Sequence, residues 1–386
     1  MVFATLAGMA VTLFWSRTRE SVGSYLAWSL TYILPLLMFV IWRYLEFGDL
    51  VPNTFHQKTG GGFWQHARGT GYLIFFAFFY LQPLAPFPAL LAWQVGLPNV
   101  RDLRRLRTWA RWGNEHEAAT ICMVLSLAYF AYNVYAGGDY RAMYRFMVPV
   151  LPFIYLLLVP MLEPVRRSTV GIPHKTALTV LLVIVAAGAT LIHSTPYEKS
   201  LFRKATWQHG NYRGVQAERR FVARFKLIGK FFDDYGVGPS DSLATRSIGA
   251  IGYYAKDIEI QDLSGLTDRH IARIPVRATA RSWAGHEKWD LDYSFNRLPT
   301  YFMLDESLVT EDPARLTPVT ALEISDAVEQ SYPNAQRFVD WMRAHPTFIE
   351  KNYKLATVWL DDEVNDEKGY FSFLVRKDAT LGMPSR

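Results

Sequence analysis

The sequence has a single cysteine, Cys122, among its 386 residues. A disulfide within the chain is therefore excluded in any redox compartment, and stability has to come from an ordinary hydrophobic core. The short motifs of common cofactor sites are absent too: there is no Walker loop, no HExxH, no CxxC and no GxGxxG run after a strand. These absences leave no motif-based argument for a nucleotide, dinucleotide or zinc-protease site.

Charge and hydrophobicity are divided unevenly along the chain. Residues 1–193 contain 15 Lys and Arg against 8 Asp and Glu, whereas residues 194–386 contain 26 against 27. The basic excess therefore belongs to the apolar half, which is typical of membrane topology and argues against a nucleic-acid partner. We predict a polytopic α-helical membrane domain over residues 1–193, followed by an α/β domain over residues 194–386.

Five apolar runs are long enough to cross a hydrocarbon core, which needs about 20 helical residues. They are Tyr25–Phe47, Tyr72–Val95, Ala118–Gly137, Phe146–Leu162 and Thr176–His193. A sixth, Val2–Trp15, is short and has the character of the end of a longer helix, so we expect an N-terminally incomplete member of a larger family.

The loops set the expected orientation. Arginines concentrate in segments 16–24, 97–117 and 163–175, whereas segments 48–71 and 138–145 have few basic residues. By the positive-inside rule the first set is cytoplasmic. The C-terminal domain is thus expected on the non-cytoplasmic side of the membrane.

The first polar cluster follows the first predicted span. Glu46 and Asp49 are three residues apart, so a continuing helix places both on one face, where they bind a metal or orient sugar hydroxyls. Arg43 and Lys58 are placed to bracket a phosphate. The alternative is a capped helix end whose Arg and Tyr side chains reach the lipid headgroups.

The second cluster is the turn from Gly137 to Phe146. Two adjacent glycines permit a tight reversal, and Asp139 and Arg145 are expected to converge near the membrane surface. Either they contact a ligand or they form a structural pair within a hairpin.

The C-terminal half alternates between helical and strand patterns. Helices are predicted at Val215–Tyr235 and Asn334–Ala344, and strands at Ser242–Tyr254, Ile258–Leu263, Thr300–Leu304, Lys354–Trp359 and Phe371–Val375. This alternation predicts a layered, Rossmann-like α/β fold. Asp262, Asp268 and His286 gather in a turn-rich stretch, although a lone histidine is more often structural than catalytic. Nearby aromatic residues either stack on sugar rings or belong to the core: Trp283, Trp289, Tyr293 and Phe295.

Several of these motifs, taken in order over residues 43–290, resemble one family. They are the string from Gly48 to Phe55 with Lys58, the Gly137-Gly138-Asp139 turn followed by Arg145-Phe146, Gly249-x-x-Gly252-Tyr253-Tyr254, Asp262-x-x-Gly265-Leu266-Thr267-Asp268, and Gly285-His286-Glu287-Lys288. The chain resembles the GT-C-type membrane glycosyltransferases related to the mycobacterial terminal arabinosyltransferase. Relatives in Gram-negative bacteria carry a flagellar-motor-control label.

The resemblance implies transfer of a sugar from a polyprenyl-phosphate donor to a glycan or lipid acceptor outside the cytoplasm. It also implies a place in a bacterial inner membrane, with the C-terminal domain periplasmic or extracellular. It implies catalytic roles for Asp49, Asp139 and Glu46, and donor-phosphate contacts for Lys58, Arg145 and Arg43. The resemblance also implies contacts with the acceptor or the sugar for five residues: Asn53, Asp268, His286, Glu287 and Lys288. A divalent cation is left open, and no metal ligand is assigned.

One departure from the family pattern bears on activity. The family's catalytic acidic residue usually lies in the first external loop, and this chain is expected to begin after that loop, so no residue is assigned as that base. A second hypothesis is therefore an inactive membrane remnant that serves as an envelope or flagellar-motor assembly partner. A transporter is disfavoured because no charged residue lies deep within a predicted span.

Overall fold

The computed structural model describes residues 19–77, 117–139, 142–157, 214–234, 238–276, 285–313, 318–365 and 367–379. The chain divides into two compact units. The first comprises Met1–Pro52, Lys58–Tyr212 and Ala278–Ala284, and the second comprises Asn53–Gln57, Arg213–Arg277 and Gly285–Arg386.

The first unit is helical where it is described. Its helices are α1 (Arg19–Phe47), α3 (Gly62–Phe76), α4 (Glu117–Ala136) and a 3-10 helix, Ala142–Val150. Between α1 and α3 lies the short helix α2 (Asn53–Lys58), most of which belongs to the second unit. Buried aromatic and aliphatic side chains join α3 to the 3-10 helix: Tyr72, Phe76, Tyr144, Met147 and Val150.

The prediction of a polytopic helical membrane domain is wrong for the part of the chain that the structure describes. Within it, one helix, Ala118–Ala136, is long and apolar enough to cross a membrane. The predicted span Phe146–Leu162 is described only as far as Leu157, and its described part lies within the apolar helix Tyr144–Leu157. Residues 62–71, expected in a loop, form most of α3. The predicted spans Val2–Trp15 and Thr176–His193, and Tyr72–Val95 beyond residue 77, lie outside the described residues.

The second unit is built on one five-stranded sheet in the order β2-β1-β3-β5-β4. Strand β1 (Ser242–Thr245) pairs in parallel with β2 (Glu259–Asp262) and with β3 (Tyr301–Met303). Strand β5 (Glu367–Arg376) pairs antiparallel with β3 and with β4 (Tyr353–Asp362). The sheet is thus a parallel three-stranded part extended by an antiparallel hairpin.

Helices fill the connections of this sheet. They are α5 (Gly214–Asp234), α6 (Ile248–Tyr254), α7 (Arg269–Arg273), α8 (Leu291–Asn296), α9 (Ala321–Ser331), α10 (Gln336–Ala344) and α11 (Pro346–Asn352). Several begin at side-chain caps. Asp268 caps α7, Asp290 caps α8, and Thr320 with Glu323 forms a complete capping box at α9.

Two hydrophobic cores cover the two faces of the sheet, because successive strand residues point to opposite sides. Leu243 packs with α5 and α6 in one core, and its neighbour Ala244 packs with α8, α9, α10 and α11 in the other. The helix that follows β1 therefore lies on the opposite face from the helices that follow β3.

Most predicted elements of this unit are confirmed. The helix predicted at Val215–Tyr235 is α5, and four of the five predicted strands match β2 to β5 within a few residues. The prediction of a strand over Ser242–Tyr254 is wrong after Thr245, because Ile248–Tyr254 forms α6. The apolar content of that run fits a buried helix as well as a strand.

Candidate functional site

In the first unit the structure brings Asp139 and Arg145 together. The Arg145 guanidinium donates to both carboxylate oxygens of Asp139, from Nη2 at 3.2 Å and from Nε at a shorter distance. The Asp139 side chain is 1% exposed, whereas that of Arg145 is 54% exposed. A buried carboxylate thus holds a cation at the surface of the unit by a charge-assisted, two-point contact.

The glycines before Asp139 make this arrangement possible. Helix α4 ends at Gly137 and Gly138, whose φ angles are +81° and +69°. Their amides donate to the carbonyls of Val134 at 3.2 Å and Asn133 at 3.0 Å, which closes the end of the helix in the left-handed conformation that favours glycine. A Cβ at Gly138 would lie 2.8 Å from Cβ of Tyr72, so the turn also packs tightly against α3.

Lys58 joins the pair from a distant part of the chain. Its ammonium lies 4.9 Å from the centroid of the Phe146 ring, and the Arg145 guanidinium lies 5.4 Å from the same centroid. Desolvation lowers the pKa of Lys58; the Asp139 charge opposes this effect, and the Arg145 charge adds to it. We call Lys58, Asp139, Arg145 and Phe146 the Asp139 cluster.

Buried glutamine and arginine side chains support the cluster from α3. Oε1 of Gln65 accepts from the Gly61 amide at 2.6 Å, and its Nε2 donates to the carbonyl of Tyr135 near the end of α4. Arg68, one turn further on, is 2% exposed. Sequence reasoning missed both residues; the available signal was a polar pair at i and i+3, a spacing that places both side chains on one face of a helix.

The remaining residues of the first predicted cluster lie at the end of α1. Because α1 ends at Phe47 and Gly48 has a φ of +61°, Glu46 and Asp49 do not share a helix face as predicted. Glu46 is exposed, and the Asp49 carboxylate accepts from the Val51 amide at 3.3 Å in a tight turn. The Arg43 guanidinium lies 5.5 Å from the centroid of the Phe47 ring.

In the second unit, α2 is fastened to two loops by side-chain amides. Nδ2 of Asn53 donates to the carbonyls of Gly265 at 3.0 Å and Asp268 at 2.9 Å. Nε2 of Gln57 donates to the carbonyls of Ser264 and, at 3.0 Å, Gly285. The hydrogens of both amides are therefore used within the protein.

The charged groups of Asp268 and Lys288 are likewise bound by other groups of the protein. The Asp268 carboxylate accepts from the Ile271 amide at 2.9 Å, from the Tyr293 hydroxyl at 3.1 Å and from Arg297 at 3.1 Å. The Lys288 ammonium donates to the carbonyls of His56 at 2.8 Å and Ala272 at 2.7 Å. Desolvation lowers the pKa of Lys288, against the opposing charge of Glu287.

The structure therefore assembles the predicted acceptor set into one network around α2, in which Asn53, Asp268 and Lys288 bind protein groups. Glu287 is buried within it and His286 is half-buried. Of the aromatic residues weighed for sugar stacking, Phe295 belongs to the core, Trp289 packs against that core, and Trp283 lies outside the described residues. Within the described residues, no group of three or more His, Cys, Asp or Glu is placed to hold a metal ion.

Comparison with known proteins gives one match. A family model described as a domain of unknown function, DUF8728, matches residues 210–375, which include the strands of the second unit as far as Val375. Searches of curated proteins and of solved structures found no significant match.

Proposed function

We propose that the protein is a membrane-associated transferase that moves a sugar from a polyprenyl-phosphate donor to a glycan or lipid acceptor. The observation that supports this proposal is the Asp139 cluster, in which the cations of Lys58 and Arg145 lie over one aromatic ring beside a single carboxylate. Two cations against one anion leave a net positive charge, which favours a phosphate.

In this mechanism the bond between the sugar and the donor phosphate breaks while the acceptor oxygen bonds to the sugar. Negative charge builds on the departing phosphate, and Lys58 and Arg145 stabilise it. Asp139 is engaged by Arg145, so it acts as a positioning residue that aims the guanidinium. Asp49 was predicted to contact a metal or sugar hydroxyls and is more accessible than Asp139, so the proposal gives it the role of assisting the acceptor hydroxyl as that hydroxyl loses its proton.

Exposed apolar side chains on the same unit support contact with a lipid-linked donor. Along α1, large apolar residues are about half exposed or more, including Leu34, Met38, Trp42 and Leu45. A contiguous apolar surface of this kind on a water-exposed protein marks a site for lipid or another apolar partner. The apolar helix Ala118–Ala136, of which 28% is buried, presents a second such surface.

The test is glycosyl transfer by the purified full-length chain in detergent, supplied with polyprenyl-phosphate sugars and short glycan acceptors. We expect turnover by the unaltered protein. Lys58→Met and Arg145→Gln should each lower kcat by about 10²-fold or more, because each removes one cation from the developing phosphate charge. Asp49→Asn should lower kcat with little change in KM.

Lys226→Met is the matched control, because Lys226 is a lysine in α5 whose ammonium also lies near an aromatic ring, that of Tyr254. It should leave turnover unchanged. Absence of turnover with every donor, in protein that is folded by circular dichroism, would favour the alternative of a non-catalytic envelope or motor assembly partner. Turnover that is unaffected by Lys58→Met and Arg145→Gln would remove the assignment of the Asp139 cluster.

A further inference from the structure

We infer that the second unit has a binding site for an anionic sugar at the carboxyl ends of β1 and β3. Five residues, which we call the edge site, define it: Arg246, Trp289, Asp305, Glu306 and Arg337. None of them belongs to the predicted catalytic or acceptor sets, and the inference does not depend on the proposed transferase activity.

The sheet topology identifies this edge as a place where ligands bind. Neighbouring parallel strands β1 and β3 send their following helices to opposite faces: α6 packs in one core and α9 in the other. Where connections diverge in this way, a crevice opens outside the carboxyl ends of the two strands, and open α/β sheets bind ligands there. Arg246 directly follows β1, and Asp305 and Glu306 follow β3.

A buried carboxylate oxygen at this edge has no hydrogen bond. Oδ1 of Asp305 accepts from the Ser307 amide at 2.7 Å, but Oδ2 has no hydrogen-bond partner among the described residues. Nη2 of Arg246 forms an ion pair with Oδ2 at 3.7 Å, which is beyond hydrogen-bond distance, and donates to Glu306 at 3.1 Å. Because Asp305 is 3% exposed, an unfilled acceptor there is costly, and a ligand hydroxyl that donates to Oδ2 would remove that cost.

Arg337 supplies the contact for an anion. Its guanidinium lies 3.7 Å from the centroid of the Trp289 ring, and no carboxylate pairs with it in the described part of the chain. Desolvation and the nearby charge of Arg246 lower the pKa of Arg337 to about 10. A guanidinium oriented on an aromatic ring, near a second arginine, presents its free donor edge to a phosphate or a carboxylate.

A ligand that satisfies both groups carries hydroxyls and a negative charge. Sugar phosphates and sugar acids share this chemistry, and the two are separated by experiment. The experiment is isothermal titration calorimetry on the full-length chain in detergent with glucose 6-phosphate, glucuronate, glucose and inorganic phosphate.

We expect saturable binding of glucose 6-phosphate, of glucuronate or of both, and the tighter of the two identifies the anionic group. Arg337→Gln should weaken that binding by about tenfold or more, since a hydrogen bond to a charged group contributes about 1.5–3 kcal/mol. Asp305→Asn should weaken binding of the anionic sugar and leave inorganic phosphate unchanged.

Arg343→Gln is the control, because Arg343 lies on the same helix but already pairs with Asp326 and Glu329. It should not alter binding. If Asp305→Asn fails to fold, Arg337→Gln still decides the matter, because Arg337 lies at the surface of α10 and only its guanidinium is partly desolvated. Absence of saturable binding of both anionic sugars, equal binding of inorganic phosphate and glucose 6-phosphate, or no effect of Arg337→Gln would overturn the inference.

Discussion

The backbone of Val134 lies directly against Gly69, where α3 and α4 meet. A Cβ at position 69 would be 2.5 Å from the Val134 carbonyl oxygen and 2.6 Å from its Cα. Backbone atoms inside a helix cannot move aside locally, so Gly69→Ala should force the two helices apart. We expect a loss of about 1–3 kcal/mol in the stability of the first unit, measured as a fall in its unfolding midpoint.

Gly71 provides a matched control on the same helix. A Cβ there meets nothing within 4 Å. Gly71→Ala should therefore be neutral or stabilise the helix by up to about 1 kcal/mol, because alanine has the higher helix propensity. Equal unfolding midpoints for the two variants would contradict the close contact between α3 and α4.

The Asp139 and Arg145 pair should respond differently to the loss of each partner. Arg145→Gln leaves a buried carboxylate without its two-point donor, whereas Asp139→Asn leaves a half-exposed guanidinium that can turn to water. We expect Arg145→Gln to cost more stability, on the order of 3 kcal/mol, with Lys58 offsetting part of it. Chemical denaturation of both variants measures the order, and a larger loss for Asp139→Asn would show that the carboxylate is not buried as described.

Asn53 gives a test of the network around α2. Its amide donates to two carbonyls, those of Gly265 and Asp268. Asn53→Ala should destabilise the second unit by about 1–3 kcal/mol because it removes one donor from each carbonyl, of which that of Asp268 keeps the Ala272 amide. Asn53→Asp should cost more, since it places a carboxylate oxygen against them. Thermal unfolding of the two variants checks this order; an aspartate variant as stable as the unaltered protein would be inconsistent with the contacts.

The sequence predicted the local features of these sites better than the distant contacts. Asp139 and Arg145 were expected to converge because a glycine turn directly precedes Asp139 and the two residues are six apart. Lys58 was expected to bind phosphate, but its position over Phe146 depends on the packing of helices far apart in sequence. Asn53 contacts Gly265 across 212 residues, and no local pattern reveals such a partner.

The failed prediction of a polytopic domain has a related cause. Apolar content shows that a run avoids water, but it does not fix where a helix begins or ends. The segment Tyr144–Leu157 starts in a 3-10 helix, and α3 begins at Gly62 within a stretch that has few strongly apolar residues. In the second unit, short apolar runs located the strands, but their order in the sheet depends on pairings between distant segments.

Lys288 should make the stability of the second unit depend on pH. Burial lowers its pKa in the folded protein below the unfolded value of 10.5. Between these two pKa values the unfolded chain binds one proton more than the folded chain, so stability rises with pH across that window. Below the window, the desolvation cost of the charged ammonium remains in full.

Lys288→Met removes this titration, so the stability of the unaltered protein relative to the variant should increase as pH rises toward 10.5. Urea denaturation of both proteins at several pH values from neutral upward measures the difference, and Lys230→Met, which alters an exposed lysine of α5, is the control. A difference that stays constant, or that shrinks as pH rises, would mean that the Lys288 ammonium is not desolvated by its contacts with His56 and Ala272.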